Sequence, residues 1–499
     1  MSLIDVRNLT FAYEGGGNLF ENVNFQIDTD WKLGFIGRNG RGKTTFLNLL
    51  LGKYEYDGQI SAKVGFEYFP FEARQEELDT IEVIRGIHPG NLLWKVEREL
   101  SLLQVAGDVL YRPFRTLSNG EQTKVLLSTL FLMENNFLLI DEPTNHLDMD
   151  GRKIVSDYLA TKQGYILVSH DRSFLDNCVD HILSINRTKI EIQKGNFSSW
   201  WQNKKRRDDQ ELSENEKLRK EIARLQESAR RTNIWSKEVE KTKFGTRNSG
   251  LRPDRGYIGH KAAKMMKRSK SIESRQQVAL EEKKKLLKDI EDTEKLKIFQ
   301  LGYHKKRLVE LDRVSIFYGD RLACGDVSLT IDQGDRIALT GRNGSGKSSV
   351  VRLICGEGLR YTGTFRKGSQ LEISTVSQDT SFLRGSLDDY AREYRIDETL
   401  FKVILRKLDF SRDHFERDMS GFSGGQKKKV LIARSLCEKK HLHIWDEPLN
   451  FVDVFSRIQI EELLLEFSPT ILFVEHDRDF CENIATKVIQ MPHNRAVPV

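Results

Sequence analysis

The sequence predicts an α/β architecture built twice along one chain, with a basic helical hairpin between the copies. Three observations predict it. Motifs recur in the same order at a nearly constant offset: Gly37-Arg38-Asn39-Gly40-Arg41-Gly42-Lys43-Thr44 returns 304 residues later as Gly341-Arg342-Asn343-Gly344-Ser345-Gly346-Lys347-Ser348. Asp141-Glu142-Pro143 returns as Asp446-Glu447-Pro448, 305 residues on, and His170-Asp171 as His476-Asp477, 306 on. Short apolar runs lead into each motif, and cations concentrate between the two copies. A repeat about 200 residues long is a domain rather than a solenoid unit. The expected organisation is therefore a first domain at 1–200, a linker at 201–306 and a second domain at 307–499.

Within the first copy, apolar runs at 33–36, 137–140 and 165–168 end at the Gly-rich loop, at Asp141 and before His170. Their length and unbroken apolar character read as buried parallel strands. The second copy repeats them at 337–339, 442–445 and 470–474. Between the copies, residues 203–243 contain no Pro or Gly, and Leu218, Ile222, Leu225 and Ala229 step by four, three and four, as along a helical seam. Residues 245–260 interrupt the helix repeatedly with Gly and Pro. Helical character resumes over 261–297 with a weaker seam at Leu280, Leu287 and Ile290. The expected shape is an antiparallel α-helical hairpin with a Gly-rich tip, reaching roughly 50–60 Å at 1.5 Å per residue.

The net charge of +6 conceals an asymmetry. Residues 201–300 hold 28 Lys and Arg against 17 Asp and Glu, whereas the remainder holds 51 against 56. Residues 241–270 hold ten cations and one acid, Asp254. Such depletion of acids suits phosphate contacts, and Phe244 and Tyr257 add surfaces for base stacking. The five cysteines are scattered without a Cys-x-x-Cys pair, so reduced thiols are expected. No segment approaches the roughly 18 apolar residues of a membrane span, and no apolar leader opens the chain; a soluble cytoplasmic protein is expected.

Each Gly-rich loop fits a phosphate cradle. Glycine lets backbone N–H groups close around phosphate oxygens, and the following helix N-terminus adds its dipole. Gly37, Asn39, Gly40, Gly42, Lys43, Thr44 and Thr45 form the first expected ATP-binding set. Gly341, Asn343, Gly344, Gly346, Lys347, Ser348 and Ser349 form the second. Thr44 and Ser348, with Asp141 and Asp446 at strand ends, are candidate Mg²⁺ ligands. Glu142 and Glu447 directly follow and are candidate catalytic carboxylates. His170 and His476, each after the next strand, are candidate γ-phosphate contacts. Tyr13 and Tyr318 lie 305 residues apart and are candidates to stack on adenine.

Ser118-Asn119-Gly120 and Ser423-Gly424-Gly425 distinguish this chain from other P-loop ATPases. They match the signature motif of ABC proteins, and both copies resemble ABC nucleotide-binding domains end to end. The resemblance implies head-to-tail pairing of the two domains within a monomer. Site one would combine Lys43, Asp141, Glu142 and His170 with Ser423, Gly424 and Gly425. Site two would combine Lys347, Asp446, Glu447 and His476 with Ser118, Asn119 and Gly120. Gln378 fits the family's Q-loop glutamine, a contact to metal or water; Phe71 stands at the matching place in the first copy. Asn119 occupies a signature glycine position. Unequal hydrolysis at the two sites is expected.

Twin domains joined by a charged hairpin resemble the ABC-F class. Asp141-Glu142-Pro143-Thr144-Asn145-His146-Leu147-Asp148 and Gly195-Asn196-Phe197-Ser198 fit it. Within the class, the long tip, the run at 263–270 and Trp445-Asp446-Glu447-Pro448-Leu449-Asn450 are similar to Lsa-type antibiotic-resistance proteins. That resemblance implies a ribosome-associated protein at the E site of the 70S ribosome, in contact with 23S rRNA and P-site tRNA. It implies protection against lincosamides, streptogramin A compounds and pleuromutilins. Phe244, Arg247, Arg252, Tyr257, Lys261, Lys264, Lys267 and Arg268 would be the RNA and drug-site residues. A housekeeping ABC-F translation factor is the main alternative. A DNA-maintenance ATPase would need far longer coiled coils, and a transporter subunit gives the basic hairpin no role.

Overall fold

The computed structural model describes residues 2–15, 17–71, 76–88, 90, 93–133, 135–145, 147–186, 189–241, 260, 263–264, 267, 270–271, 274 and 301–492. The chain divides into two compact units: Met1–Trp200 together with Lys295–Val499, and Trp201–Glu294. Both repeats lie in the first unit.

The first repeat contains β1 (Leu3–Ala12), β2 (Asn18–Asp28), β3 (Lys32–Ile36), β4 (Asp57–Ser61), β5 (Gly65–Phe69), β6 (Asn136–Asp141), β7 (Tyr165–Val168), β8 (His181–Asn186) and β9 (Lys189–Lys194). The second contains β10 (Arg307–Tyr318), β11 (Arg321–Asp332), β12 (Arg336–Thr340), β13 (Arg360–Lys367), β14 (Ile373–Val376), β15 (Leu442–Asp446), β16 (Ile471–Val474) and β17 (Lys487–Gln490). The main sheets run in the order β5-β6-β7-β3-β8-β9 and β14-β15-β16-β12-β17. All pairings in the second are parallel, and in the first only β8–β9 is antiparallel. The apolar runs seen in the sequence are these central strands. β7 and β16 are buried along their whole length, because both faces of the parallel sheet are covered. Asp141 and Asp446 end β6 and β15. Such carboxyl ends are where open α/β sheets bind ligands.

Each repeat adds a three-stranded antiparallel sheet, β2-β1-β4 and β11-β10-β13. Its apolar face covers the main sheet and fixes the helix that follows the Gly-rich loop. In the first repeat Ile4, Val6 and Leu9 share a core with Leu33, Phe35, Phe46 and Leu47. Phe46 meets Phe20, Phe25 and Phe35 within 5.5–6.1 Å between ring centroids. Truncating such a fully buried ring costs about 3–5 kcal/mol, so packing sets where the loop presents its amides. In the second repeat Phe401, Ile404, Leu405, Leu408 and Phe422 anchor the helix Gly424–Cys437 through Val430 and Leu431.

The helix Phe197–Lys241, 45 residues and about 67 Å long at 1.5 Å per residue, belongs to the second unit from Trp201 on. It exceeds the expected reach because it starts inside the ATPase unit, where Phe197 and Trp200 are buried and the Trp200 ring lies 5.9 Å from that of Phe455. Of the expected seam, Ile222 is buried and Leu218 half-buried, and Asn215 joins them as a buried polar side chain three residues earlier. His260, Ala263, Lys264, Lys267, Lys270, Ser271 and Ser274 are helical and exposed. The expected pairing of the two helices lies outside the described residues. So do the tip up to residue 259, with Phe244, Arg247, Arg252 and Tyr257, and the flanking Lys261 and Arg268.

Candidate active site

The Gly-rich loops connect β3 to the helix Lys43–Leu50 and β12 to the helix Lys347–Cys355. Gly42 and Gly346 cap these helices with φ of 93° and 89°. A Cβ would approach a Leu19 side-chain carbon to 2.7 Å in one case and Cys324 Cβ to 2.6 Å in the other. Only glycine satisfies both demands. Lys43 Nζ donates to the Gly37 carbonyl at 2.8 Å, and Lys347 Nζ to Gly341 at 2.9 Å and Arg342 at 3.0 Å. Each ammonium is thus folded over its own loop. Burial pulls both lysines below the usual lysine range, an arrangement that rewards arrival of an anion.

Asp141 Oδ2 accepts from Thr44 Oγ1 at 2.9 Å and from Tyr68 Oη at 3.0 Å. Asp446 is hydrogen-bonded to Ser348, and its Oδ1 is buried without a protein partner. Burial raises both aspartates above the ordinary range. A hydroxyl and a carboxylate, with one buried oxygen unclaimed, are hard donors that fit Mg²⁺. Glu142 and Glu447 both adopt left-handed backbone, φ 52° and 48°. Their N–H groups continue the sheet by donating to Val168 and Val474 at 2.9 and 3.0 Å. Matched left-handed backbone at two non-glycine residues is strain of the kind held at functional positions. Burial, then the Asp141 charge, pushes Glu142 up to about 8. His170 Nε2 lies 3.3 Å from Glu142 Oε1, and burial with the Lys43 charge holds this imidazole neutral. Burial lowers His476 to about 3, and both its ring nitrogens are buried without a protein partner.

The register pairs Phe69 with Ile140 and Val376 with Trp445. Phe71 and Gln378, each two residues past its strand, therefore occupy equivalent places. Tyr13 Oη lies 2.8 Å from Thr45 Oγ1 and its ring packs edge-on against Phe11 and Tyr54, leaving about half its surface exposed. Tyr318 is likewise exposed.

The two halves meet at these loops. Asn39 Nδ2 donates to the Phe451 carbonyl at 2.7 Å, and Arg38 pairs with Asp409 at 2.6 Å. A Cβ on Gly425 would lie 3.0 Å from Asn39 Nδ2 and collide with the Phe451 carbonyl. On the other side, the Asn343 N–H donates to Asp148 Oδ2 at 3.4 Å. The first Gly-rich loop thus faces Gly425 of the opposite half's signature, and the second faces Asp148 of the opposite half. Ser118 and Ser423 cap the helices Asn119–Leu130 and Gly424–Cys437 through capping boxes with Glu121 and Gln426. Such capped N-termini present backbone amides to an anion.

Sequence reading missed several residues. Tyr68 on Asp141 leaves no motif. Arg152–Asp171 and Arg457–Asp477, both 2.9 Å and buried, brace the two histidine loops. Their 305- and 306-residue offsets were a usable signal. Arg172 pairs with Glu461 across the halves, a contact with no sequence signature.

The ABC transporter family profile matches residues 20–145 and 324–450, and a second ABC transporter profile matches 183–252. ATP-binding protein Uup of Caulobacter vibrioides is 28% identical over 98% of this chain and 77% of its own. Ribosome protection protein VmlR of Bacillus subtilis is 29% identical over 95% of this chain and 84% of its own. Among solved structures, the archaeal ribosome recycling factor aABCE1 in complex with stalk protein aP1 aligns with TM-score 0.62 at 17% identity. That alignment covers 97% of this chain and 87% of the other. Among the described residues no helix is long and apolar enough to cross a membrane. This chain belongs to the ABC transporter family, as an ATPase with two such domains in tandem.

Proposed function

We propose that this chain is a cytoplasmic, ribosome-associated ATPase that protects the peptidyl-transferase centre from lincosamides, streptogramin A compounds and pleuromutilins. One observation carries the reading. The similarity to a ribosome protection protein runs over 95% of the chain, so it includes the linker in which the excess of cations is concentrated. The partners are the 70S ribosome at its E site, 23S rRNA and P-site tRNA. Lys264 and Lys267 contact RNA phosphates, and the tip residues approach the drug site.

ATP binds at two composite sites. Site one uses Lys43, Thr44 and Asp141 with Ser423, Gly424 and Gly425; site two uses Lys347, Ser348 and Asp446 with Ser118 and Gly120. Tyr13 and Tyr318 flank the adenines. Mg²⁺, when bound, neutralises charge developing on the β- and γ-phosphates. Glu142 and Glu447 orient the attacking water and accept its proton, while the neutral His170 and His476 contact the γ-phosphate. Because each ATP touches both halves, binding favours the closed pair and hydrolysis releases it.

A housekeeping ABC-F role is the second reading, because the chain is as similar to a relative named only as ATP-binding, Uup, at 28% identity over 98% of the chain, as to the ribosome protection protein. Expression in a drug-sensitive strain separates the two. Raised tolerance to the three drug classes, lost in a Glu142→Gln, Glu447→Gln variant, supports protection. Ribosome co-sedimentation without any change in tolerance supports the housekeeping role.

A further inference from the structure

The helix Gly424–Cys437 begins at the signature that serves site one, yet one turn further in it touches site two. Lys428, nearly fully buried, donates from Nζ to the Ser377 carbonyl at 2.8 Å and to the Glu447 carbonyl at 3.2 Å. Ser377 immediately precedes Gln378. One ammonium thus joins the signature helix, the glutamine loop and the backbone of the site-two carboxylate. The carboxylate that most supports its charge is Glu475, itself buried. Glu475 in turn accepts from the Leu449 N–H at 2.7 Å and the His476 N–H at 3.1 Å. Arg434 on the same helix also donates to the Thr375 carbonyl. Lys428 and Arg434 therefore tie the strand and loop before Gln378 and the backbone of Glu447 to one helix.

The first repeat is built otherwise. Thr123, Thr144 and Ser169 occupy the places of Lys428, Leu449 and Glu475 at the repeat offsets. Thr123 Oγ1 donates to Asn119, on its own helix, at 2.8 Å. Ser169 Oγ accepts from the Asp171 N–H at 3.2 Å and lies 3.4 Å from Thr144 Oγ1. Neither threonine reaches the loop before Phe71 or the backbone of Glu142. The three replacements occur together, and they convert local hydrogen bonds into a cross-link.

We propose that Lys428 is a positioning residue that couples ATP closure on the signature at site one to the geometry of Glu447 and Gln378 at site two. Among the described residues no equivalent side chain couples site two back to site one. Binding energies between the sites remain reciprocal, but hydrolysis rates need not be. Site two therefore hydrolyses at full rate only when the signature helix is seated on ATP at site one. The inference rests on the assignment of Glu142 and Glu447 as the catalytic carboxylates.

The test measures the first turnover at each site separately. Glu142→Gln leaves site two as the hydrolysing site, and Glu447→Gln leaves site one. In the Glu142→Gln protein, Lys428→Thr, which installs the residue found in the first repeat, lowers turnover about tenfold while KM for ATP stays within about twofold. Lys428→Arg restores most of the rate. In the Glu447→Gln protein, Lys428→Thr leaves turnover within about twofold. If Lys428 served only to stabilise its helix, site one would lose activity as well, because that helix supplies its signature. Equal losses at both sites, or none at site two, overturn the proposal. Lys428→Gln, which keeps an N–H donor, replaces the threonine variant if that protein fails to unfold cooperatively; the same pattern is expected with a smaller loss. Residual turnover in the Glu142→Gln, Glu447→Gln double variant overturns the catalytic assignment instead, so the two failures are distinguishable.

Discussion

The two nucleotide sites share their motifs but not their surroundings, and the differences point one way. At site one, Phe71 stands where site two has Gln378. The Tyr68 hydroxyl shares an Asp141 oxygen with Thr44, and burial pushes Glu142 up to about 8. At site two, Asp446 keeps one buried oxygen unclaimed, and Lys428 holds the Glu447 carbonyl. The comparison teaches that motif conservation within a repeat specifies where phosphate is cradled. How readily it is cleaved depends on side chains one layer further out. These differences lead us to expect faster hydrolysis at site two than at site one.

The largest effect expected is loss of turnover. Glu142→Gln with Glu447→Gln lowers phosphate release at least about 100-fold, the lower range of a positioned general base, while ATP stays bound. Normal turnover in this variant would remove both carboxylates from the comparison. Next comes the contact between the halves. Arg172–Glu461 is buried and one-sided: its repeat counterparts are Arg478, which pairs with Glu482 on its own helix at 2.7 Å, and Ser156. Arg172→Ala should lower stability by about 3 kcal/mol in denaturant titration, because it leaves a buried carboxylate with the neutral Asn483 amide in place of its cation. Arg172→Met with Glu461→Met should recover most of that. An Arg172→Ala loss below about 0.5 kcal/mol would mean the pair behaves as an exposed one.

Much of this was legible in the sequence. The apolar runs ending at Asp141, Asp446, His170 and His476 named the central strands, because a doubly covered parallel sheet tolerates little else. Offsets of 304 to 306 residues named both Gly-rich loops, and the structure brings one against Phe451 and the other against Asp148 of the opposite half. Phe71 and Gln378 were matched through the resemblance to the family's Q-loop, and the strand register places them equivalently. The layer behind was not legible. Tyr68, Lys428, Glu475 and Glu461 act through contacts with segments distant in sequence, and a lone Lys or Tyr carries no periodic signal. The linker helix was legible in type but not in start, because Phe197 and Trp200 continue it into the ATPase core.

Two smaller effects sharpen the contrast between regions. The ATPase unit is close to charge balance, whereas the linker is basic, so ribosome binding should weaken steeply with salt through the linker. Lys264→Gln with Lys267→Gln should reduce the log–log salt slope by about two while ATP turnover stays unchanged. An unchanged slope would place the phosphate contacts elsewhere. Smaller still, Phe71→Gln should raise first-turnover hydrolysis at site one by about threefold, less than 1 kcal/mol of barrier. A decrease would show that the aromatic ring supports that site.

The inequality of the sites is tested most directly by single-turnover hydrolysis with radiolabelled ATP and Mg²⁺ in the two single variants. Glu142→Gln, which leaves site two, should hydrolyse its ATP at least about fivefold faster than Glu447→Gln, which leaves site one. Equal rates, or a faster site one, would contradict the account.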